Sequence, residues 1–394
     1  MLITQKPSFI LLFLLISFGS VTAVLFTPAL PQISAYFAVT DAMAQLTITV
    51  FLVGYAVGQL IYGPLANGYG RKNALYFGIV LEIIASLICA LSANLHLFWL
   101  LVVARLFMAL GASVGLKMTF TLVADCYTAA ESTPIIAHLM IAFAVTPGLG
   151  ITLGGLLTDS LGWQSCFYFL ALYGGGLLYL SYCLQETVVI RDQKALKLSN
   201  IVYKYNHILK NNQLVLGAML MGCGTTVVYL FAALAPFVTL KWMHLSASTY
   251  GFWNLLPPVG IIIGSQLSAY YATSLRTIYA IFLGIAIMLL GVIAMFIALL
   301  LQPLAIGLFL PLTIIYIGMS FIFANASSIA MSSVQDKSTA SAMMSFINMG
   351  IATVSVLIVG LIAVQSSLLI PIAYGVVILF ALMIALILAK KHIE

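Results

Sequence analysis

The 394 residues are 63% hydrophobic and only 6% charged, with a mean hydropathy of +1.19, whereas soluble domains carry about 25% charged residues. No water-soluble core can hide that much apolar surface, which excludes soluble enzymes. The formal net charge of +6 would suggest an acidic partner in a soluble protein, but here it falls between apolar runs. It reads as a topology signal and implies no nucleic acid.

Lys6 followed by an apolar run ending Ser20-Val21-Thr22-Ala23 mimics a secretory signal. The run exceeds the usual h-region of about 7–15 residues and more runs follow, so an uncleaved first span is expected. A span needs about 20 apolar residues, and inside lipid the backbone must satisfy itself within helices or closed barrels. Runs between polar punctuation predict twelve helical spans, at 8–30, 42–64, 74–93, 96–122, 134–158, 163–185, 213–239, 247–272, 276–300, 304–330, 339–363 and 367–389.

With the N-terminus inside, the cytoplasmic segments hold Lys6, Arg71, Lys72, Arg191, Lys194, Lys197, Lys204, Lys210, Arg276, Lys337, Lys390 and Lys391, which is 12 of the 15 basic residues. Lys241 alone lies outside, and the flipped orientation would reverse the bias that positive-inside topology requires. Both termini are therefore expected in the cytoplasm. The polar stretch 187–212, with five basic residues, divides the chain into six-span halves, 1–186 and 213–394. The halves echo one another: Val53-Gly54-x-x-x-Gly58-Gln59-Leu60 with a later Arg71 matches Val259-Gly260-x-x-x-Gly264-Ser265-Gln266-Leu267 with a later Arg276, where a duplicated unit would put it. Cys89, Cys126, Cys166, Cys183 and Cys223 have no metal-ligand spacing and read as small buried apolar residues.

Gly63-Pro64-Leu65-Ala66-Asn67-Gly68-Tyr69-Gly70-Arg71-Lys72 joins spans two and three. Its glycines permit a tight turn, and Arg71 and Lys72 suit an anionic leaflet. This resembles the signature loop of the major facilitator superfamily, with Asn67 where that family usually has Asp. The resemblance continues through Pro28-Ala29-Leu30-Pro31, Arg105 to Gly111, Gly162-Trp163 and Leu184-Gln185-Glu186-Thr187. Pro147-Gly148-Leu149-Gly150-x-x-x-Gly154-Gly155 in span five resembles the antiporter motif, where small residues permit close helix packing. The nearest branch is the bicyclomycin-resistance-like drug:proton antiporters, and the likeness is strongest over residues 20 to 187.

That resemblance implies two six-helix bundles around a central site in the inner membrane, a monomer, no cofactor, and a proton gradient as driving force. It implies that Gly63, Asn67, Gly70, Arg71 and Lys72 form a cytoplasmic gate, and that Pro147, Gly148, Gly154 and Gly155 set bundle packing. It also marks Arg105 as a coupling residue. Ala124-Asp125 stands where the branch commonly has Arg-Asp, so with Asn67 two latch charges are missing and a weaker latch is expected.

Charges inside a membrane cost at least about 2.5–3.5 kcal/mol and should face a partner or water. Glu82, Arg105 and Lys117 are the three within spans. Arg105 is read either as a coupling or substrate contact or as a donor to neighbouring carbonyls. Glu82 lies nine residues beyond Asn73 and Lys117 eight before Asp125; at about 1.5 Å per residue they stand at similar depth and form a candidate ion pair. Tyr229 and Asn325 are polar groups where this fold lines its cavity, or else interhelical hydrogen-bonders. Gly174-Gly175-Gly176 follows no strand and reads as a helix packing face.

No nucleophile-base-acid set or metal cluster stands out, so an enzyme is not expected. The reading is a secondary active transporter, with proton-coupled efflux of drug-like or amphipathic compounds implied by the resemblance. The visible buried charges are mainly positive, which keeps open an alternative: export or import of an anionic metabolite or carboxylate siderophore. A receptor that binds without translocating is the alternative of another class.

Overall fold

The computed structural model describes residues 6–187, 197–272, 274–332, 334, 336–362 and 366–393. The linker residues Arg191 and Lys194 lie outside them. Among the described residues the regular structure is entirely helical.

Polar residues between the apolar runs start the helices by satisfying their first backbone N–H groups. The Ser8 hydroxyl accepts from Leu11 N at the start of α1 (Phe9–Val24), and Thr40 accepts from Met43 N at the start of α3 (Asp41–Tyr69). Thr128 and Glu131 cap α7 (Ala129–Leu161) reciprocally, side chain to backbone in both directions. Gly70, at φ +105°, separates α3 from α4 (Arg71–Asn94), a backbone conformation open to glycine and closed to side chains.

Among the described residues, ten helical stretches are long and apolar enough to cross a membrane. Two further crossings complete the twelve. One is α8 (Gln164–Tyr182), 19 residues diluted by four tyrosines and a glycine triplet. The other is split into α11 (Ala247–Trp253) and α12 (Pro257–Tyr271), because Pro257 and Pro258 lack the N–H groups that would continue the ladder. The first crossing is likewise broken: α1 passes through a single turn at Thr27–Ala29, with Pro28 inside it, into α2 (Leu30–Tyr36). The fourth is interrupted at Ser113, between α5 (Phe98–Ala112) and α6 (Val114–Cys126). The remaining elements are the linker helix α9 (Leu198–Leu209), α10 (Asn212–Phe237), α13 (Thr277–Leu301), α14 (Ala305–Ser332), α15 (Lys337–Gly360) and α16 (Leu369–Ile393).

The apolar surface is spent on two sides. Leu12, Leu52, Phe167 and Phe309 are buried inside, while Leu172, Leu301 and Val376 are exposed on the outside at 74, 76 and 64%, as a lipid-facing surface requires. In the N-terminal half α4 packs on α5 and α8; in the C-terminal half α13 packs on α14 and α16. The halves meet along two seams, α3 against α15 and α7 against α11.

The sequence echo is a packing echo. A Cβ on Gly54 would stand 3.0 Å from Ala109 Cβ, and one on Gly58 2.8 Å from Ser113 Cβ, so both glycines let span two approach span four. Gly260 and Gly264 meet Thr313 and Ile317 at 3.1 and 2.8 Å, bringing span eight onto span ten in the same way.

Candidate functional site

Arg105 is fully buried on α5. Its guanidinium carbon lies 4.0 Å from the Phe26 ring centroid and 4.3 Å from that of Phe51, a cation held over aromatic faces. Nη1 donates to Thr22 O at 2.9 Å and to Met108 Sδ at 3.3 Å, Nη2 to Ala23 O at 3.3 Å, and Nε to Thr47 O at 3.3 Å. The break in the first span explains this set. When α1 ends at Val24, the carbonyls of Thr22, Ala23 and Val24 lose their helical donors while Val21 keeps its own. Val21 O accepts from Leu25 N at 2.9 Å, Val24 O from the Thr27 hydroxyl at 2.8 Å, and Thr22 and Ala23 from Arg105. Arg105 is thus a cation at a helix C-terminus, the favoured sign for that end of the dipole. With four hydrogen bonds made, about one of its five N–H donors is left for any other partner.

Tyr229 of α10 is buried and faces Arg105 and Tyr55 closely enough for electrostatic influence across the halves. Tyr55 stacks on Phe51, with centroids 6.1 Å apart, and lies against Gly19 of α1. Arg105, Tyr55 and Tyr229 therefore converge where α1, α3, α5 and α10 meet. Asn325 belongs elsewhere: its Nδ2 donates to Ser268 Oγ at 3.2 Å and to Phe321 O at 2.9 Å, tying α14 to α12.

The expected Glu82–Lys117 ion pair is not formed. Glu82 lies level with Gly111, whose Cβ position is 2.6 Å from Glu82 N. Lys117 is six residues further along the span, about 9 Å in a helix, and its stem lies beside Gly63, 3.8 Å from the Cβ position. Depth counted from the loops missed this offset because the register of the two helices is fixed by the packing of Gly111 on Glu82. Glu82 is fully buried; Oε1 accepts from Ser86 Oγ at 2.8 Å, and Oε2 has no hydrogen-bond partner. Lys117 feels Arg71 and, across the halves, Asp336.

The signature loop is built around a carboxylate from span six. Glu186 accepts from Arg71 N at 2.9 Å and from Lys72 N at 3.2 Å, capping α4; a Cβ on Gly70 would stand 2.9 Å from its Cδ. Arg71 Nε pairs with Asp125 Oδ2 at 3.1 Å, Arg71 Nη1 donates to Asn67 Oδ1 at 2.5 Å, and Thr187 Oγ1 donates to Asp125 at 2.7 Å. Lys72 Nζ reaches Tyr182 O at 2.8 Å. The Asn67 amide oxygen and the Asp125 carboxylate together receive Arg71, so the loop is fully partnered despite the two departures.

In α7 the small residues face both halves. A Cβ on Gly154 would stand 2.7 Å from Leu25 C, one on Gly155 2.8 Å from Ala247 C, and one on Gly148 2.7 Å from Asn254 O. Pro147 lies in the same helix. The antiporter-like motif therefore presses α7 onto two breaks at once, those of the first and eighth spans. Thr152 Oγ1 seals the contact by donating to Gly251 O at 2.8 Å. The Gly174 triplet is only partly a packing face: Gly174 abuts Ile83 and Glu82, whereas Gly175 and Gly176 look into open space. The reading of five buried cysteines is also narrowed, since Cys183 is exposed and Cys126 intermediate.

Two inter-half bonds escaped the sequence reading. Lys241 Nζ pairs with Asp41 Oδ1 at 2.6 Å, and Ser248 N donates to Asp159 Oδ2 at 2.8 Å. Both lie at the end of the bundle away from the chain termini. Asp41 beside the cap Thr40 looked like an ordinary helix start, and a partner 200 residues away leaves no local trace.

Residues 10–356 match the family model of the Major Facilitator Superfamily. The chain is 30% identical over 270 residues to an uncharacterized transporter of Rickettsia felis, covering 68% of this chain and 65% of that protein. It is 35% identical over 149 residues to the chloramphenicol resistance protein of Pseudomonas aeruginosa, covering 38 and 35% of the two chains. It is 26% identical over 170 residues to the multidrug resistance protein D of Escherichia coli, covering 43 and 42%. The chain thus spans just under two thirds of the length of the Rickettsia relative. The crystal structure of a D-xylose–proton symporter superposes with a TM-score of 0.78 at 13% identity, covering 96% of each chain, which establishes a shared fold. With twelve helical crossings, the partnered loop around Arg71 and a family match over most of its length, the chain belongs to the Major Facilitator Superfamily of membrane transporters.

Proposed function

We propose that the protein is a proton-coupled exporter of amphipathic, drug-like molecules in a bacterial inner membrane, with both termini in the cytoplasm. Residues 1–186 and 213–394 rock as two bundles about a central site, with 187–212 as a cytoplasmic linker. The observation that carries the substrate class is the state of Arg105. Caged by Phe26 and Phe51 and spent on the Thr22, Ala23 and Thr47 carbonyls, it is a poor anion receptor. Lys117 has its stem beside Gly63, about two turns along α3 from Tyr55, so it lies away from the place where Tyr55 and Tyr229 meet. What the halves offer one another at Tyr55 and Tyr229 is aromatic and hydroxylic, suited to an apolar body with polar edges. The chloramphenicol resistance protein and multidrug resistance protein D among its relatives support the same class.

The Asp41–Lys241 and Asp159–Ser248 bonds lie at the periplasmic end in this orientation. They suit a state closed to the periplasm, in which substrate is collected from the cytoplasm.

The test is flux into proteoliposomes under an imposed pH gradient, comparing chloramphenicol, ethidium and ferric citrate. Accumulation of the first two without the third is expected. Accumulation of ferric citrate alone would replace this reading by the anionic one, and saturable binding with no flux of any probe would favour the receptor.

A further inference from the structure

Glu82 is the buried charge that the cavity does not use. It sits between α4, α5 and α8, fully buried, with Oε1 held by Ser86 and Oε2 without a donor. The pocket is shaped closely around it: a Cβ on Gly174 would stand 2.8 Å from Oε2, and one on Gly111 2.6 Å from Glu82 N and 2.9 Å from its Cβ. The titratable and charged groups facing it are Arg105 of α5, Cys89 of α4 itself and Tyr173 of α8. Tyr62 of α3 lies one turn away at Gly78, and α6 presents Val114 there. Arg105 donates to the Thr22, Ala23 and Thr47 carbonyls and to Met108 Sδ, and makes no hydrogen bond to the carboxylate. A permanently charged carboxylate in this pocket would be buried with half its acceptors unmet. A carboxyl that gains a proton when enclosed and loses it when wetted has no such conflict.

The pocket borders the one place where the fourth span is interrupted. Gly111 backs onto Glu82, and two residues later the helix breaks at Ser113, whose carbonyl accepts from Gln59 Nε2 of α3 at 3.4 Å. The same α3 forms the seam with α15 of the opposite half. Gln59 thus joins the helix of the seam to the segment that walls the Glu82 pocket. We propose that Glu82 binds and releases the coupled proton, and that the Ser113 interruption ties its access to water to the rocking of the halves. This rests on the proton-coupled reading above.

The test uses the full chain in proteoliposomes with chloramphenicol or ethidium, whichever wild type accumulates. Two quantities are read: accumulation driven by a pH gradient, and counterflow exchange with no gradient. Glu82→Gln should lose pH-driven accumulation by about tenfold or more while keeping counterflow within about twofold of wild type. Glu82→Asp, which keeps an acid, should restore accumulation with a shifted pH profile. Wild-type-like accumulation in Glu82→Gln overturns the proposal. So does loss of counterflow in both variants when both remain monodisperse, which would make Glu82 a packing residue. Wild-type flux indifferent to the pH gradient would instead overturn the proton-coupled reading itself.

Discussion

Replacing Arg105 by Met keeps the side-chain length between Phe26 and Phe51 but leaves the carbonyls of Thr22, Ala23 and Thr47 without their donor. Unsatisfied buried groups cost about 1–3 kcal/mol each, so with three of them a loss of at least about 3 kcal/mol is expected, read as a lower unfolding temperature in detergent together with lost transport. A group acting only in coupling would lose transport at unchanged stability. The glycine triplet gives the opposite sign. Gly175→Ala and Gly176→Ala meet nothing and should be neutral or stabilising by about 0.5–1 kcal/mol, while Gly111→Ala, driven into Glu82 N and Gly78 O, should unfold more easily. Which residues are charged inside the membrane was legible from composition. Which of them touch was not, because the level at which α5 meets α4 is set by the close packing of Gly111 on Glu82, which counting residues from the loops does not see.

At the level of elements, spans were readable because lipid demands long helices, whereas the capping residues Ser8, Thr40, Thr128, Asn211 and Ser246, each at a helix start, are signals that the reading of apolar runs passed over. Breaks were harder. Pro28 and Pro257 mark them, but Pro64 and Pro147 sit inside continuous helices, so proline alone does not decide. The α7 cap offers a pH test. Lys6, donating to Glu131 at 2.7 Å, holds its carboxyl below the ordinary carboxylate range, with Thr128 adding to the effect. A carboxyl lowered in the folded state contributes stability above its unfolded value of about 4.3 and loses it as pH falls through the folded value. The thermal stability difference between wild type and Glu131→Gln should therefore be present near pH 7 and vanish on acidification. A further test is Gly154→Ala, which forces α7 away from Leu25; overpacking costs about 1–3 kcal/mol, and slowed transport at reduced stability is the expected outcome.

For the whole molecule, the echo between spans two and eight was legible in the sequence, and Gly54-x-x-x-Gly58 and Gly260-x-x-x-Gly264 serve equivalent contacts, onto spans four and ten. The inter-half ion pair was not, since Asp41–Lys241 joins distant segments through ordinary-looking surface residues. That pair is partly exposed, with side chains 26 and 43% accessible, and such pairs contribute about 0.2–1 kcal/mol. Asp41→Asn should accordingly shift the balance between the two facing states by up to about fivefold, measured as the distance distribution between spin labels on the two halves. The most direct test of the account as a whole follows the proton itself. Proteoliposomes with an acidic lumen and a trapped pH-sensitive dye are given chloramphenicol, and probe entry and lumenal pH are recorded together. Proton-coupled export predicts that the lumen becomes alkaline as the probe enters, only with protein present. Probe entry at constant lumenal pH, or with further acidification, would contradict it.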